Sequence, residues 1–142
     1  MQVLSFAAKI VSDGHGFLVQ FPGLPEALTG ADTEIEALAE AEDCLGEALA
    51  ARLERGDPIP MASSEEGLHE IPVPLYLAPK VALSRELQSQ GVTTSELARR
   101  LNCDADDILN LLHPRSDAPA EQLQHALAAL GLRIKVSVDA AA

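Results

Sequence analysis

Two prolines three residues apart, Pro22 and Pro25, constrain the first third of this chain more than any other feature. Each fixes φ and lacks an N–H donor, so a ladder through Phe17-Leu18-Val19-Gln20-Phe21 must stop at Phe21. The segment 22–30 then reads as a turn. Beyond it Thr33 and Glu36 stand at capping-box spacing, where each side chain can satisfy the other residue's free backbone N–H. Ile35, Leu38, Ala41, Leu45, Ala48 and Leu49 fall on one helical face, with Glu36, Glu40, Asp43 and Glu47 on the remainder. Gly56-Asp57-Pro58 stops the helix, and 59–67 reads as a loop.

Upstream of the prolines, Leu4, Phe6, Ala8 and Ile10 alternate with Ser5, Ala7 and Lys9, the period of a half-buried strand. Asp13-Gly14 is a favoured pair for a primed hairpin turn, in which both positions take positive φ. Phe17 to Phe21 returns as the second strand. A third strand is expected over about 68–75, where Ile71, Val73 and Leu75 alternate; Pro72 and Pro74 confine it to an edge or shorten it. The order is therefore β-β-α-β, one helix on a small sheet, over residues 1–75.

The pattern changes near Pro79. Helical periodicity runs through 79–90, 94–101, 104–112 and 120–130, making a second, all-α unit of about residues 79–138 in an α+β chain. Residues 133–138, Arg-Ile-Lys-Val-Ser-Val, alternate and are expected to form a short C-terminal strand; the tail from Asp139 is expected to fray. Thr93 and Glu96 form a second capping box, Leu97 and Leu101 face inward, and small Ala98 permits a close helix crossing. Asn102 tolerates the left-handed conformation that ends a helix. Asp104 suits the N-cap of the next helix, with Asp106 and Asp107 complementing its dipole.

Charge divides the chain as sharply as the helices do. Residues 1–70 carry 14 acids against Lys9, Arg52 and Arg55, a net of −11; residues 71–142 carry eight acids against seven bases, a net of −1. An acidic half cannot replace the counterions on nucleic-acid phosphate. It can steer and hold a basic partner. No apolar run approaches the length of a bilayer span. The start, Met1-Gln2-Val3-Leu4-Ser5, lacks the basic region of a signal peptide. Cys44 and Cys103 lack C-x-x-C spacing and suit reduced thiols, so a cytoplasmic protein is expected.

The strand ending Phe21-Pro22-Gly23-Leu24-Pro25, followed by the Thr33-x-x-Glu36-Ala37 helix start, resembles the signature of the HicB family of bacterial antitoxins. The resemblance implies a partial ribonuclease-H-like N-terminal domain that sequesters a HicA-like toxin, a small basic RNA-cleaving protein. It points to Glu36, Glu40, Asp43 and Glu47 as the acidic toxin-binding surface. Residues 92–103 resemble the first half of a Cro/repressor-type helix-turn-helix, within a likeness covering about 80–132. That likeness implies dimerisation, giving dimers or tetramers, and binding to the operator of the chain's own operon. It assigns Thr93, Thr94, Ser95, Arg99, Arg100 and Arg115 to phosphate, and Asp106 and Asn110 to the base edges.

The helix that would enter the major groove departs from the pattern, because Asp104, Asp106 and Asp107 repel phosphate although one carboxylate could accept from cytosine N4. A helix-turn-helix kept only for oligomerisation is the alternative for this half. For the whole chain it is a stand-alone regulator whose N-terminal domain senses a ligand or another protein. Catalysis has weak candidates. Asp13 sits in a turn and Glu70 near an edge, unlike the clustered carboxylates of a two-metal nuclease. His15, His69, His113 and His125 are scattered, Lys9 is isolated, and Ser63-Ser64 has no base beside it. No enzyme, metal or cofactor is expected.

Overall fold

The computed structural model describes residues 4–61 and 66–140; Met1 to Val3, Ser63-Ser64 and the last two alanines of the tail lie outside them. The chain has a mixed α+β fold, a four-stranded antiparallel sheet followed by helices. Its elements are β1 (Ser5–Ser12), β2 (Phe17–Gln20), β3 (Leu28–Ala31), α1 (Glu34–Arg55), β4 (His69–Pro72), α2 (Ala78–Gln90), α3 (Thr94–Leu101), α4 (Ala105–Leu112) and α5 (Ala120–Ala129). The sheet order is β3-β2-β1-β4, with every pairing antiparallel.

β3 is the first departure from the expected β-β-α-β order. The two prolines end β2 as anticipated, but the chain turns back after Ala27 and pairs Leu28–Ala31 with Phe17–Gln20. Gly16 permits this close approach, since a β-carbon there would lie 2.7 Å from the Ala31 carbonyl oxygen. The β1–β2 connection also differs from a primed two-residue turn. It is a four-residue loop, with Ser12 opposite Phe17, and Gly14 has positive φ while Asp13 does not. The Asp13 N–H donates to the Gly16 carbonyl at 3.1 Å, and Asp13 Oδ1 accepts from the His15 N–H at 2.9 Å. β4 is the opposite sheet edge and stops at Pro72, as the prolines require.

Helix α1 buries most of the expected face, Ala41, Leu45, Leu49 and in part Ala48, but its first turn departs from it. Ala37, Ala41, Leu45, Leu49 and Leu53 face the sheet, whereas Ile35 is 83% exposed and Leu38 36%. Alanines at i and i+4 let the helix lie close over Phe6, Ala8, Val19 and Phe21; each fully buried large side chain contributes about 1.5–3 kcal/mol. Thr33 Oγ1 accepts from the Glu36 N–H at 3.2 Å, and left-handed Gly56 ends the helix. Only the threonine half of this capping box forms.

Helix α2 joins two hydrophobic cores. Leu77, at its N-cap, and Val81 complete the sheet–α1 cluster; Leu83 and Leu87 belong to a second cluster with Leu97, Ile108, Leu111, Leu123 and Leu127. Two buried cations reinforce the junction. Arg85 donates through Nε and Nη2 to the Pro60 carbonyl at 3.1 and 2.6 Å, and its guanidinium lies 5.5 Å from the centroid of the Phe6 ring. Lys80 Nζ donates to the carbonyl oxygens of His113 and Ser116 and to Ser116 Oγ, tying α2 to the α4–α5 connection.

The expected C-terminal strand is absent: residues 133–138 lie in no strand. The edges of the sheet, β3 and β4, lie far away in sequence, and among the described residues this segment pairs with no strand. Ile134 packs partly on the second core, while Val136 and Val138 are 70% and 93% exposed.

Candidate functional site

Two surfaces carry the residues singled out by the sequence. The first is the exposed side of α1. Glu36, Glu40, Asp43 and Glu47 recur at helical spacing along one stripe, all exposed, and Glu42 flanks it. Among the described residues no ion pair involves any of these five. The two arginines of α1 are engaged elsewhere: Arg52 makes a two-pronged contact with Glu26, at 2.5 and 2.9 Å, and Arg55 pairs with Asp57 at 2.7 Å. The stripe's field is felt locally, since burial first, and then Glu47 and Glu40, push the Cys44 thiol above its ordinary value.

Asp43 and Glu47 differ from Glu36 and Glu40 in what lies beside them. Together with Glu42 and Gly46 they line a groove of about 570 Å³ whose other side is the segment 72–76 after β4. Leu75 and Tyr76 are 75% and 63% exposed there. A β-carbon on Gly46 would lie 3.2 Å from Pro74 Cγ and 3.6 Å from Tyr76 Oη, so glycine lets this segment lie a few tenths of an ångström closer to the helix. The alternation Ile71, Val73, Leu75 had suggested a strand through Leu75. The prolines instead divert the chain and present Leu75 and Tyr76 outward.

The second surface is formed by α3 and α4, joined by residues 102–104 with Asn102 in the left-handed region at φ 55. Thr93 caps α3 by accepting from the Glu96 N–H at 3.1 Å. The Glu96 carboxylate does not complete the expected reciprocal cap. It accepts from Arg99 at 2.7 and 3.0 Å and from Arg100 at 3.3 Å. Arg99 chiefly, with Arg100, therefore holds the Glu96 carboxyl below its ordinary value. The two arginines share one acid, so their net contribution to the surface is one positive charge.

Thr93 and Thr94 line a second groove, of about 720 Å³, between the end of α1, α2 and α4. Across it Glu54 lies 3.8 Å from His113. Ser95, Asp106, Asn110 and Arg115 are exposed. Asp107, grouped with the groove-facing acids from sequence, is used at home: its carboxylate accepts from the Asp104 N–H at 3.0 Å. Lys80 was not singled out from sequence at all, although it anchors the connection that follows α4; a lone lysine in a helix carries no signal of burial.

Of the residues weighed for catalysis, Glu70 accepts from Ser5 Oγ at 2.5 Å, and Asp13 lies in the β1–β2 loop. Among the described residues no group of three or more His, Cys, Asp or Glu could hold a metal ion, and no helix is long and apolar enough to cross a membrane.

Residues 5–82, from β1 into α2, match the family described as HicB-like antitoxin of bacterial toxin-antitoxin system. The chain belongs to this antitoxin family. Similar curated proteins extend the likeness past α2. Antitoxin HicB 2 of Photorhabdus laumondii is 33% identical over 133 residues, covering 94% of this chain and 95% of the relative. Antitoxin HicB of Escherichia coli K12 is 34% identical over 122 residues, covering 85% and 88%. Antitoxin HicB of Pseudomonas fluorescens is 34% identical over 141 residues, covering 98% and 97%. The family match thus spans the sheet, α1 and its groove, and the antitoxin relatives align across most of the helical half as well.

Proposed function

We propose that this antitoxin neutralises a HicA-like RNA-cleaving toxin by covering its basic surface, and represses its own operon through α3 and α4. Residues 1–75 serve the first role and residues 79–138 the second, in a cytoplasmic dimer or tetramer that acts by binding and not by catalysis. The observation that carries neutralisation is the stripe of unpaired carboxylates on α1. Their mutual repulsion is relieved by a cationic partner. Co-expression with a basic protein of about 60–80 residues encoded beside this chain tests it: rescue of growth supports the role, and arrest that persists refutes it.

The α3–turn–α4 unit supports operator binding by its shape, since a second helix set by a short turn is what enters a major groove. Its charge favours a second function, assembly alone, because Glu96 offsets one of the two charges of Arg99 and Arg100. A shift of the chain's own promoter fragment, measured against salt, separates the two. For an operator-binding protein, Arg99→Ala and Arg100→Ala weaken binding on every sequence, each lowering the salt slope by about one. Glu96→Gln frees both guanidiniums without removing the Thr93 cap, so affinity rises several-fold. A wild-type protein that shifts nothing at low salt leaves these helices with assembly only.

A further inference from the structure

We propose that the groove between α1 and the segment 72–76 receives a lysine- or arginine-bearing segment of the basic toxin. The aliphatic stem of that side chain lies on Tyr76 and Pro74, and its cation lies among Glu42, Asp43 and Glu47. This rests on the neutralising function above and assigns it a place and a mode of contact.

Three observations converge on this groove. Its two sides differ in chemistry: one carries three carboxylates, the other is proline, valine, leucine and tyrosine. A lysine or arginine has the same division, an apolar stem and a charged head, and lies along such a boundary without burying its charge away from water. The carboxylates take no described cation, while Arg52 and Arg55, further along the same helix, are bound to Glu26 and Asp57. Leu75 and Tyr76 stand exposed next to them. Tyrosine offers a negative ring face to a cation within about 6 Å.

The remainder of the acidic stripe takes a different part. Glu36 and Glu40 lie toward the N-terminus of α1, outside the groove lining, and face open solvent. Exposed charges of this kind speed encounter and are screened by salt. Asp43 and Glu47, beside an apolar wall that excludes water once occupied, set the lifetime of the complex.

Titration calorimetry of the full-length chain with the basic protein encoded beside it tests the groove. Glu47→Lys is expected to weaken binding about 30-fold at 0.1 M salt. Tyr76→Ala weakens it about tenfold, and Tyr76→Phe, which keeps the ring, restores binding to within about twofold of wild type. Glu121→Lys makes the same charge change on exposed α5 and shifts affinity by less than about threefold. All three sites are exposed, and melting curves matching wild type confirm that each of the four variants is folded. Wild-type binding left intact by both Glu47→Lys and Tyr76→Ala overturns the groove and spares neutralisation. Loss in Glu121→Lys equal to that in Glu47→Lys also overturns it, because net charge alone would then explain affinity. A wild-type chain that does not bind the toxin removes both proposals.

Discussion

Lys80→Met is expected to destabilise the chain by about 2–3 kcal/mol, a large loss for a residue on the first turn of a helix. Methionine matches lysine in length and keeps the apolar stem packed, so the change isolates the ammonium. That ammonium, on a residue only 3% exposed, donates to two backbone carbonyls and one hydroxyl in the 113–116 turn. Removing it takes the donor from part-buried acceptors, at about 1–3 kcal/mol for one left without another partner; the His113 carbonyl keeps the Ser116 N–H at 3.1 Å. Part of this is offset, because a buried charge without a hydrogen-bonded carboxylate is itself costly. Burial first of all pushes the Lys80 amine below its ordinary value, with Asp117 opposing. The unfolded chain therefore binds the proton more strongly than the folded one. Wild-type stability contributed at this site rises as pH climbs from the folded value toward 10.5, and the methionine variant lacks that rise. Urea unfolding of both proteins near neutral pH checks the main effect; a difference under about 0.5 kcal/mol contradicts the anchor. Hydrogen exchange should show the loss concentrated in α4 and the turn after it, which bear Asp106, Asn110 and Arg115.

Leu45→Ala carries the largest expected effect, about 2–5 kcal/mol. Leu45 is fully buried at the middle of the α1 row, between Ala41 and Leu49 and over the sheet. Its neighbours in the close-packed core, among them Ala41 and Leu49, relax only partly into the space, so the residual cavity adds its cost to the lost transfer energy. The same helix carries Asp43 and Glu47, which makes this variant useful beyond stability. A protein close to its stability threshold is cleared in cells, so neutralisation should fail at growth temperature while binding at low temperature stays close to wild type. Chemical denaturation with an unchanged m-value would show a loss of stability and not a change of denatured state. A loss below about 1 kcal/mol would contradict the placement of Leu45 at the core centre.

What was legible in the sequence follows the range of the interactions involved. Helix starts and stops are local: Thr33, Thr93, Asn102 and Gly56 all occupy the cap positions their chemistry suggested. The core stripe of α1 is right from Ala41 to Leu49 and fails only in the first turn, where Ala37 is buried in place of Ile35 and Leu38. Small residues face the sheet there because the helix approaches closely, a distance that no single-chain periodicity records. β3 was hidden by its brevity and by Pro22 and Pro25, whose influence ends before Leu28. The alternation in 133–138 is genuine, but a strand needs an edge, and the sheet among the described residues lies in the other half of the chain.

The candidate sites divide in the same manner. The acidic stripe could be placed on one face of α1 from spacing alone, and the structure has Glu36, Glu40, Asp43 and Glu47 exposed. The groove could not, because Tyr76 meets α1 only through the diversion at Pro72 and Pro74 and the missing side chain at Gly46. The pairing of Glu96 with Arg99 and Arg100 was within reach of sequence, since i, i+3 and i, i+4 neighbours share a helix face. Its capping role had absorbed the residue first.

Growth of cells expressing a HicA-like basic toxin, with and without this chain, tests neutralisation most directly. Wild-type chain should restore growth, and Asp43→Lys with Glu47→Lys in one chain should fail to do so while accumulating to the same level. Arrest that persists in the presence of soluble, folded wild-type protein would contradict the proposed function.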